Sequence, residues 1–421
     1  MQNRLSQVAL FLLLLLSAPG RAAAADFFAN VAYDGADTDL ADGICDGDPA
    51  PNPPDTRPGH EGEFISQCTI RAAVQNANLT PEADFILLGN ATYVLSISGA
   101  GEDDSATGDL DIKTPIQIGS DQFAGGSFNT TRIDAKRLKD RIFDVLPGGA
   151  LDVRRTTLEN GKTAKGEGGG CIRSATNLVL GSVFLYRCSS ADDGGCVSLS
   201  AGTADFSNTI FSTCRAKDEG GGLALAPGVA SVLTRASFGA DRAATGGGIA
   251  SRGDLTLADV TIDDNSAKLG AGIALLGAGP TTIHSSTLSE NGKVNLDASQ
   301  SMGAVTVANT IVWGATTDCV GAVTSAGGNL EGATSCGFAS TNDQQSQDPM
   351  LAPLNNYGGL VLTRPPTKNG TVYSPAIDHG IDGATCVDPD ARLVARQDVP
   401  GVGVAVCDAG AAEYNFIPPA P

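Results

Sequence analysis

Four consecutive segments of the chain each begin with a run of glycines: GGGCIRSATNLVLGSVFLYRCSSADD (residues 168–193), GGCVSLSAGTADFSNTIFSTCRAKDE (194–219), GGGLALAPGVASVLTRASFGADRAAT (220–245) and GGGIASRGDLTLADVTIDDNSAKL (246–269). The segments are 26, 26, 26 and 24 residues long, and a further one begins at Gly270. A repeat of this length is typical of a solenoid, in which each repeat forms one coil. The pattern therefore predicts a stacked, repetitive fold.

Short stretches of alternating apolar and polar residues follow each glycine run. Aligning the segments places one apolar column directly after the glycines: Cys171, Cys196, Leu223, Ile249 and Ile273. A second alternating stretch follows, as at residues 178–183, and a third surrounds Ile210 and Ile262. Three short strands per coil without a helical period predict an all-β fold, a right-handed parallel β-helix with a thin core.

A polar column marks the turn after the third strand. Asn265 and Asn291 occupy it in the later coils, and Asp241, Cys214 and Cys188 occupy it in the earlier ones. Stacked amide side chains can bond to successive backbones. We therefore expect an internal ladder along this turn.

The chain has ten cysteines and no Cys-x-x-Cys pair, which favours disulfides over zinc or redox chemistry in an exported protein. All ten are disulfide candidates: Cys45, Cys68, Cys171, Cys188, Cys196, Cys214, Cys319, Cys336, Cys386 and Cys407. We expect the four cysteines of the repeats to pair among themselves, either between coils or as Cys171 with Cys188 and Cys196 with Cys214, with four buried thiols as the alternative. We also expect Cys319 with Cys336, and Cys386 with Cys407, to close local loops.

The N-terminal segment has the pattern of an export signal. Arg4 is followed by an apolar stretch from Val8 to Leu16 and by small residues up to Ala25. This pattern predicts a secretory signal peptide over residues 1–25, with cleavage near Ala25. No later apolar run is long enough to cross a bilayer, so we expect a secreted or cell-surface protein without a membrane span.

The remainder divides into three predicted parts. Residues 26–140 form an N-terminal cap with the first coils, 141–320 form the β-helix repeats, and 321–421 form a C-terminal cap. An amphipathic helix is predicted from Thr69 to Asn78, suited to covering the first coil. Such caps are needed because a solenoid otherwise exposes unpaired strand edges at its ends.

The composition restricts the partners. The formal net charge is −20, which makes nucleic acid and anionic lipid poor partners, and we expect no nucleic-acid partner. A straight solenoid offers a long flat face suited to elongated ligands, so we expect polysaccharide or a cell-surface partner, and a monomer.

Several stretches resemble a bacterial family named for its Cys-Ser-Leu-Arg-Glu-Ala motif. The stretches of the N-terminal half are Gly43-Ile44-Cys45-Asp46, the run from Cys68 to Asn78, Thr107 to Ile112, and Arg141 to Val145. Those of the C-terminal half are Asn309 to Val312, Asp348-Pro349, Ser374 to Asp378, and Cys407 to Gly410. The resemblance implies a right-handed parallel β-helix of the pectate-lyase-like class in an extracellular setting, and it implies no reaction. The motif's glutamate position is Ala72 here, which favours a structural role for the motif.

The strongest candidate for chemistry is acidic. Asp192 and Asp193 precede one glycine run, and Asp218 and Glu219 occupy the same turn one coil later. Closely stacked carboxylates repel unless a cation neutralises them, and calcium accepts several oxygen ligands in flexible geometry. The sequence therefore suggests calcium as the candidate cofactor at this turn, with a solvated acidic turn as the alternative.

Two other acidic groups lie nearer the N-terminus. The first consists of Asp34, Asp37, Asp39, Asp42, Asp46 and Asp48, and the second consists of Asp103, Asp104, Asp109 and Asp111. The spacing of the first group does not follow the calcium-binding EF-hand pattern. We expect both groups to lie in solvated acidic loops.

Two classes of function fit a secreted β-helix. Polysaccharide lyases and glycoside hydrolases need acid–base carboxylates or a calcium-assisted base, for which Asp192-Asp193 or Asp263-Asp264 could serve with a nearby arginine, Arg187, Arg215 or Arg242. However, no Gly-His-Gly, Gly-x-Ser-x-Gly or His-Glu-x-x-His element occurs, and His60, His284 and His379 are far apart. The sequence therefore favours a non-catalytic binding, adhesin-like or structural module for carbohydrate or surface partners, and predicts no catalytic residue. A calcium-dependent lyase or hydrolase is the alternative.

Overall fold

Parallel strands stack coil upon coil through most of the chain. The computed structural model describes residues 24–47, 67–120, 130–383, 385–386, 388–403 and 407–414. The predicted signal sequence as far as residue 23, together with Asp48 and His60, lies outside the described residues. Within them the strands form a parallel β-helix, as the glycine repeat predicts.

The first face of the β-helix is a nine-stranded parallel sheet of short strands. Its strands are β4 (Leu110–Ile112), β7 (Phe143–Val145), β9 (Ile172–Ser174), β12 (Val197–Leu199), β15 (Leu223–Leu225), β17 (Ile249–Ser251), β20 (Ile273–Leu275), β23 (Val294–Ala298) and β26 (Thr317–Gly321).

The second and third faces belong to one 17-stranded sheet that turns a corner. The second face holds β1 (Asp26–Ala29), β2 (Asp84–Leu88), β5 (Pro115–Ser120), β18 (Asp254–Ala258), β21 (Thr281–His284), β24 (Val305–Ala308) and β27 (Thr324–Gly327). The third face holds β3 (Thr92–Val94), β6 (Arg132–Asp134), β19 (Thr261–Asp263), β22 (Thr287–Ser289), β25 (Ile311–Trp313) and β28 (Leu330–Glu331). Four longer strands run through both faces: β8 (Ala150–Glu159), β10 (Leu178–Tyr186), β13 (Thr203–Ser212) and β16 (Ala230–Gly239).

Two small pairs complete the strands. Beyond the third face, β11 (Ser189–Ser190) pairs in parallel with β14 (Arg215–Ala216), and in the C-terminal region β29 (Lys368–Asn369) pairs antiparallel with β30 (Val372–Tyr373).

The glycine runs form the corner before the first face. Gly194, Gly220, Gly246 and Gly270 have φ between 54° and 64°. An L side chain is strained in this region of backbone space, and a Cβ at each of these glycines would lie against the backbone of its own coil. The repeat length of the sequence is therefore the number of residues between successive copies of this corner.

The inward column of the first face differs from the sequence alignment by one residue in two coils. Leu223, Ile249 and Ile273 are register partners as predicted, but Leu223 pairs with Val197 rather than with Cys196. Cys171 and Cys196 each lie one position earlier, at the glycine corner. The alignment was wrong there because the corner glycine with positive φ is Gly169 in the first of these coils and Gly194 in the second, and the inward residue follows it by three positions in every coil.

The predicted polar ladder is present. The backbone N–H of Cys214 donates to Asp241 at 2.7 Å, that of Asp241 donates to Asn265 at 2.9 Å, and that of Asn265 donates to Asn291 at 3.0 Å. The two asparagines also donate from Nδ2 to backbone carbonyls of the preceding coil. The ladder therefore bonds successive coils inside the core.

All ten cysteines form disulfides. The pairs are Cys45–Cys68, Cys171–Cys188, Cys196–Cys214, Cys319–Cys336 and Cys386–Cys407. In the repeats, the within-coil alternative is the one observed. The glycine corner and the ladder column converge inside each coil, with Cα atoms 5.4–5.5 Å apart, which suits a disulfide.

A short helix covers the first coils. Helix α1 spans Ile70–Ala77, and the hydroxyl of Thr69 caps it by accepting from the N–H of Ala72 at 3.0 Å. The amphipathic pattern predicts one solvated face, yet all eight helix residues are buried. The polar face is covered because Arg71 donates to Asp34 at 2.7 Å and Asn76 donates to Asp37 at 2.7 Å.

The C-terminal region folds back along the third face. Val361, Ala391 and Ala411 pack with Ile210 in one buried cluster. Ion pairs fasten the same region, from Arg364 to Asp263 and from Arg396 to Asp259, both at 2.9 Å. This region therefore covers part of the solenoid's side.

Candidate functional site

The acidic turn suggested by the sequence lies at the corner before the first face. Asp193 accepts the backbone N–H of Glu219 at 2.9 Å, and the Glu219 carboxylate is held by Arg252 through two hydrogen bonds, one of 2.7 Å. Burial raises the pKa of Asp193, with a further contribution from Glu219. The structure thus brings Asp193 and Glu219 together and gives Glu219 an arginine partner. Calcium at this turn stays a prediction.

A tighter carboxylate cluster lies at the first two coils. Among the described residues, oxygens of Asp109, Asp111 and Asp144 form a group in which all lie within 4.8 Å of one another. Asp111 of β4 and Asp144 of β7 are register partners, and their neighbours on either side are core residues. Both carboxylates therefore point away from the core, yet Asp111 is 0 % exposed and Asp144 is 3 % exposed.

The segment that covers these carboxylates comes from the N-terminal cap. Ser105 donates its backbone N–H to Oδ2 of Asp111 at 2.8 Å, and Asn78 donates to the backbone carbonyl of Asp111 at 2.7 Å. Arg71 donates to the carbonyls of Ser105 and Gly108. The fully buried guanidinium of Arg71 thus holds the covering loop over the cluster.

Two arginines contact the cluster directly. Arg141 donates to Asp109 at 2.6 Å and lies 3.5 Å from Asp144, while Arg173, next in the same column, holds both oxygens of Asp144. Burial raises the pKa of Asp109 to about 7, although Arg141 lowers it, and burial together with Asp109 raises the pKa of Asp111 to about 8. The cluster is therefore short of positive charge.

A different kind of surface lies beyond the third face. Lys162, Ser189, Arg215 and Arg242 are bridge partners on successive coils, and Arg187 precedes Ser189 by two residues. We call Lys162, Arg187, Arg215 and Arg242 the basic row. All four side chains are exposed, and none forms an ion pair with a residue in the described ranges.

A cavity opens within the basic row. Its volume is about 490 Å³, and its lining consists of Arg187, Cys188, Ser189, Thr213 and Arg215. The guanidinium of Arg187 stacks over the ring of Tyr186, with 4.6 Å between its central carbon and the ring centroid. Two guanidiniums and two hydroxyls around one concave surface form a donor-rich site for an anion.

The other acidic candidates have structural contacts. Asp34 and Asp37 bond to helix α1, and the Oδ1 of Asp46 accepts from Thr38 at 2.5 Å. Asp263 is buried beneath Arg364, so the pair Asp263-Asp264 does not present two free carboxylates to a substrate. Burial lowers the pKa of both His284 and His379.

The sequence named Asp109 and Asp111 as a cluster but missed Asp144. A signal was available, because Leu110-Asp111-Ile112 and Phe143-Asp144-Val145 share one apolar–Asp–apolar pattern. The sequence also named Arg187, Arg215 and Arg242 only as neighbours of carboxylates. Their common exposed row follows from the register of the coils.

Comparison with known proteins adds no further constraint. No protein-family model matches the chain, and neither does any curated protein or solved structure. Among the described residues, no helix has the length and apolar character needed to cross a membrane.

Proposed function

We propose that the chain is a secreted, non-catalytic binding module that holds an acidic polysaccharide along the basic row. The observation that carries the proposal is the row itself: four exposed cations on successive coils have no ion-pair partner among the described residues, and two of them, Arg187 and Arg215, line a cavity of about 490 Å³. The resemblance to the CSLREA-motif β-helix family supports an extracellular setting, as do the predicted signal peptide and the five disulfides.

The basic row differs from the other arginines of the protein in its ion pairing. The chain carries 47 acidic and 27 basic residues, so carboxylates that can pair with an arginine are in excess. Arg141, Arg252, Arg364 and Arg396 are all paired with carboxylates. The cations of the basic row have no such partner within the described ranges, and a group of this kind on one surface favours an anionic ligand.

The spacing of the coils suits a polymer. Adjacent parallel strands lie about 4.8 Å apart, so the backbones of Arg215 and Arg242 repeat at that interval along the solenoid. A linear polysaccharide with repeated carboxylate or sulfate groups can meet several of these cations at once. Many weak, exposed contacts then add up to useful affinity.

The non-catalytic assignment rests on the carboxylates near the row. Asp193 accepts a backbone N–H, Glu219 is paired with Arg252, and Asp263 is paired with Arg364. General acid–base cleavage of a glycosidic bond needs two carboxyl groups facing one bond across a gap. These side chains are instead engaged in contacts within the protein.

The test is a binding measurement with polymers that differ in charge. Purified protein is titrated with polygalacturonate, a sulfated glycan and neutral dextran at low and moderate salt. We expect binding to the acidic polymers, weakening with salt, and none to dextran. The variant R187A/R215A should lose at least about tenfold in affinity, since charge-assisted contacts dominate such a site.

The matched control is R154A/K368A, which removes one exposed cation from the second face and one from the C-terminal region and changes the net charge equally. It should bind like the wild type. Equal loss in both variants, or binding that R187A/R215A leaves intact, would overturn the assignment of the row. Stronger binding to single-stranded DNA than to the glycans would overturn the ligand class, and release of unsaturated or reducing ends would make the protein an enzyme.

A further inference from the structure

The carboxylates of Asp109, Asp111 and Asp144 have the geometry of a cation site. One oxygen from each lies within 4.8 Å of the others, and all three residues are buried. The ligand oxygens of a bound calcium ion surround it at about 2.3–2.6 Å, so oxygens this close together can share one ion. Proximity alone does not distinguish a cation site from an acidic cluster.

The second observation is an oxygen without a partner. Oδ2 of Asp111 accepts the N–H of Ser105, but Oδ1 has no hydrogen-bond partner within the described part of the chain and is fully buried. Buried carboxylate oxygens are almost always bonded, because desolvation without a partner is costly. An unsatisfied oxygen in a cluster of three carboxylates indicates a missing positive group.

The charges around the cluster do not balance. Asp140, Glu167 and Glu102 add three carboxylates to the three, while Arg141 and Arg173 supply the two nearby guanidiniums. Arg71 also lies close, but its guanidinium is paired with Asp34. Six carboxylates against these two guanidiniums leave an excess of about four negative charges if every group is ionised, which the buried carboxylates of the cluster do not tolerate uncompensated.

We propose that Asp109, Asp111 and Asp144 bind a divalent cation, calcium in preference to magnesium. The donors are all oxygens, which suit hard cations, and calcium accepts the irregular, high coordination that a strand–strand–loop site provides. Arg173 on Asp144 and Arg141 on Asp109 orient two ligands, because a carboxylate oxygen can accept a hydrogen bond and bind a cation together.

The cation would connect the first two coils to their cover. Asp111 and Asp144 belong to adjacent strands, and Asp109 ends the loop that Arg71 holds in place. Binding would therefore stabilise the N-terminal end of the solenoid, where an unpaired edge is otherwise exposed. This inference is independent of polysaccharide binding on the basic row.

The test measures calcium and stability together. Purified full-length protein is stripped with chelator, and calcium and magnesium are titrated in separately by calorimetry. We expect one calcium ion per chain, weaker magnesium binding, and a rise of several degrees in the melting temperature with calcium. The isosteric variant D111N should lose calcium binding by at least about tenfold, since it removes one charged ligand.

Two further measurements keep the result interpretable. The control variant D193N/D218N alters the acidic turn suggested by the sequence and should retain the calcium ion that D111N loses. Chelator-treated D111N should melt at or above chelator-treated wild type, because repulsion in the cluster is relieved. Absence of stoichiometric calcium binding to the wild type would overturn the proposal and leave protons as the neutralising charge. So would a D111N variant that binds calcium as the wild type does.

Discussion

Arg396 donates from Nη2 to Oδ1 of Asp259 at 2.9 Å, joining the C-terminal region to the corner between the second and third faces. The same guanidinium donates from Nη1 to Glu413 at 2.7 Å, and all three side chains are at most 2 % exposed. Burial raises the pKa of Asp259 to about 7, although Arg396 lowers it. The three side chains therefore form a buried charge network in which Arg396 is the cation that pairs with both carboxylates.

Replacing Arg396 by alanine should release the C-terminal region. The change leaves Asp259 and Glu413 buried without their cation, which costs about 3–5 kcal/mol for a buried ion pair. Urea unfolding should show this loss in the free energy of unfolding, and limited proteolysis should cut the chain after residue 350 sooner. The control R154A removes an exposed arginine paired with Asp152 and should cost less than about 1 kcal/mol. Equal stability of the two variants would contradict this role of Arg396.

Asp241 should make stability depend on pH. It is the acidic member of the buried ladder, its Oδ2 has no partner within the described residues, and burial raises its pKa well above the ordinary value. A carboxyl whose pKa is higher in the folded state binds more protons there, so stability is greatest at low pH and falls as the pH rises from about 4 toward the raised pKa.

The variant D241N should remove that dependence. An asparagine can donate from Nδ2 to the Phe211 carbonyl, as Asn265 and Asn291 donate to Phe238 and Ile262 one and two coils later. Melting temperatures between pH 4 and 9 should therefore be flatter for D241N than for the wild type, and higher at alkaline pH. The exposed control D205N should follow the wild type. A D241N curve as steep as the wild-type curve would show that other buried carboxyls set the dependence.

Removing the Cys196–Cys214 disulfide should destabilise the middle coils. The two cysteines are 18 residues apart and both are buried. Loss of a bridge that closes a loop of this size costs about 2–4 kcal/mol, mainly by freeing the unfolded chain. Denaturant unfolding of C196A/C214A checks the value, with alanine chosen to keep the site apolar. An unchanged midpoint would mean that packing and the ladder suffice in these coils.

The stacked rings of Phe211 and Phe238 should be a principal source of core stability. Their centroids are 4.3 Å apart and their planes differ by 6°. Truncating a buried phenylalanine to alanine typically costs about 3–5 kcal/mol, so F238A should lower the unfolding midpoint strongly. The control F28A removes a ring that is 53 % exposed and should have a small effect. Comparable losses in the two variants would contradict the assignment of Phe238 to the central core.

Much of the fold could be read from short stretches of sequence. The glycine runs repeat at the interval of one corner, and the ladder column through Asp241, Asn265 and Asn291 follows from the same interval. The prediction failed where the glycine run does not show which glycine forms the corner: the corner lies at Gly169 and Gly194, which displaces Cys171 and Cys196 from the inward column by one residue. The disulfide pattern could not be predicted, because the sequence repeat does not give the distance across a coil between the glycine corner and the ladder column.

The candidate sites were harder to predict. Asp111 and Asp144 occupy outward positions of a strand, where a carboxylate is normally solvated, and their burial depends on a loop held by Arg71. The sequence indicated Arg187 and Arg215 only as neighbours of carboxylates, and their common cavity depends on the register between coils.

The sequence by itself determined the parallel β-helix, its coil length and its polar ladder, because period and alternation are local properties that each coil repeats. Only the tertiary structure decided which outward residues are covered and which charges find partners. Ser105 on Asp111, Arg71 on Asp34 and Arg396 on Asp259 are contacts between segments that no repeat relates. Burial and charge compensation arise from such contacts, so the acidic cluster and the basic row became visible only when the coils and their covering segments were in place.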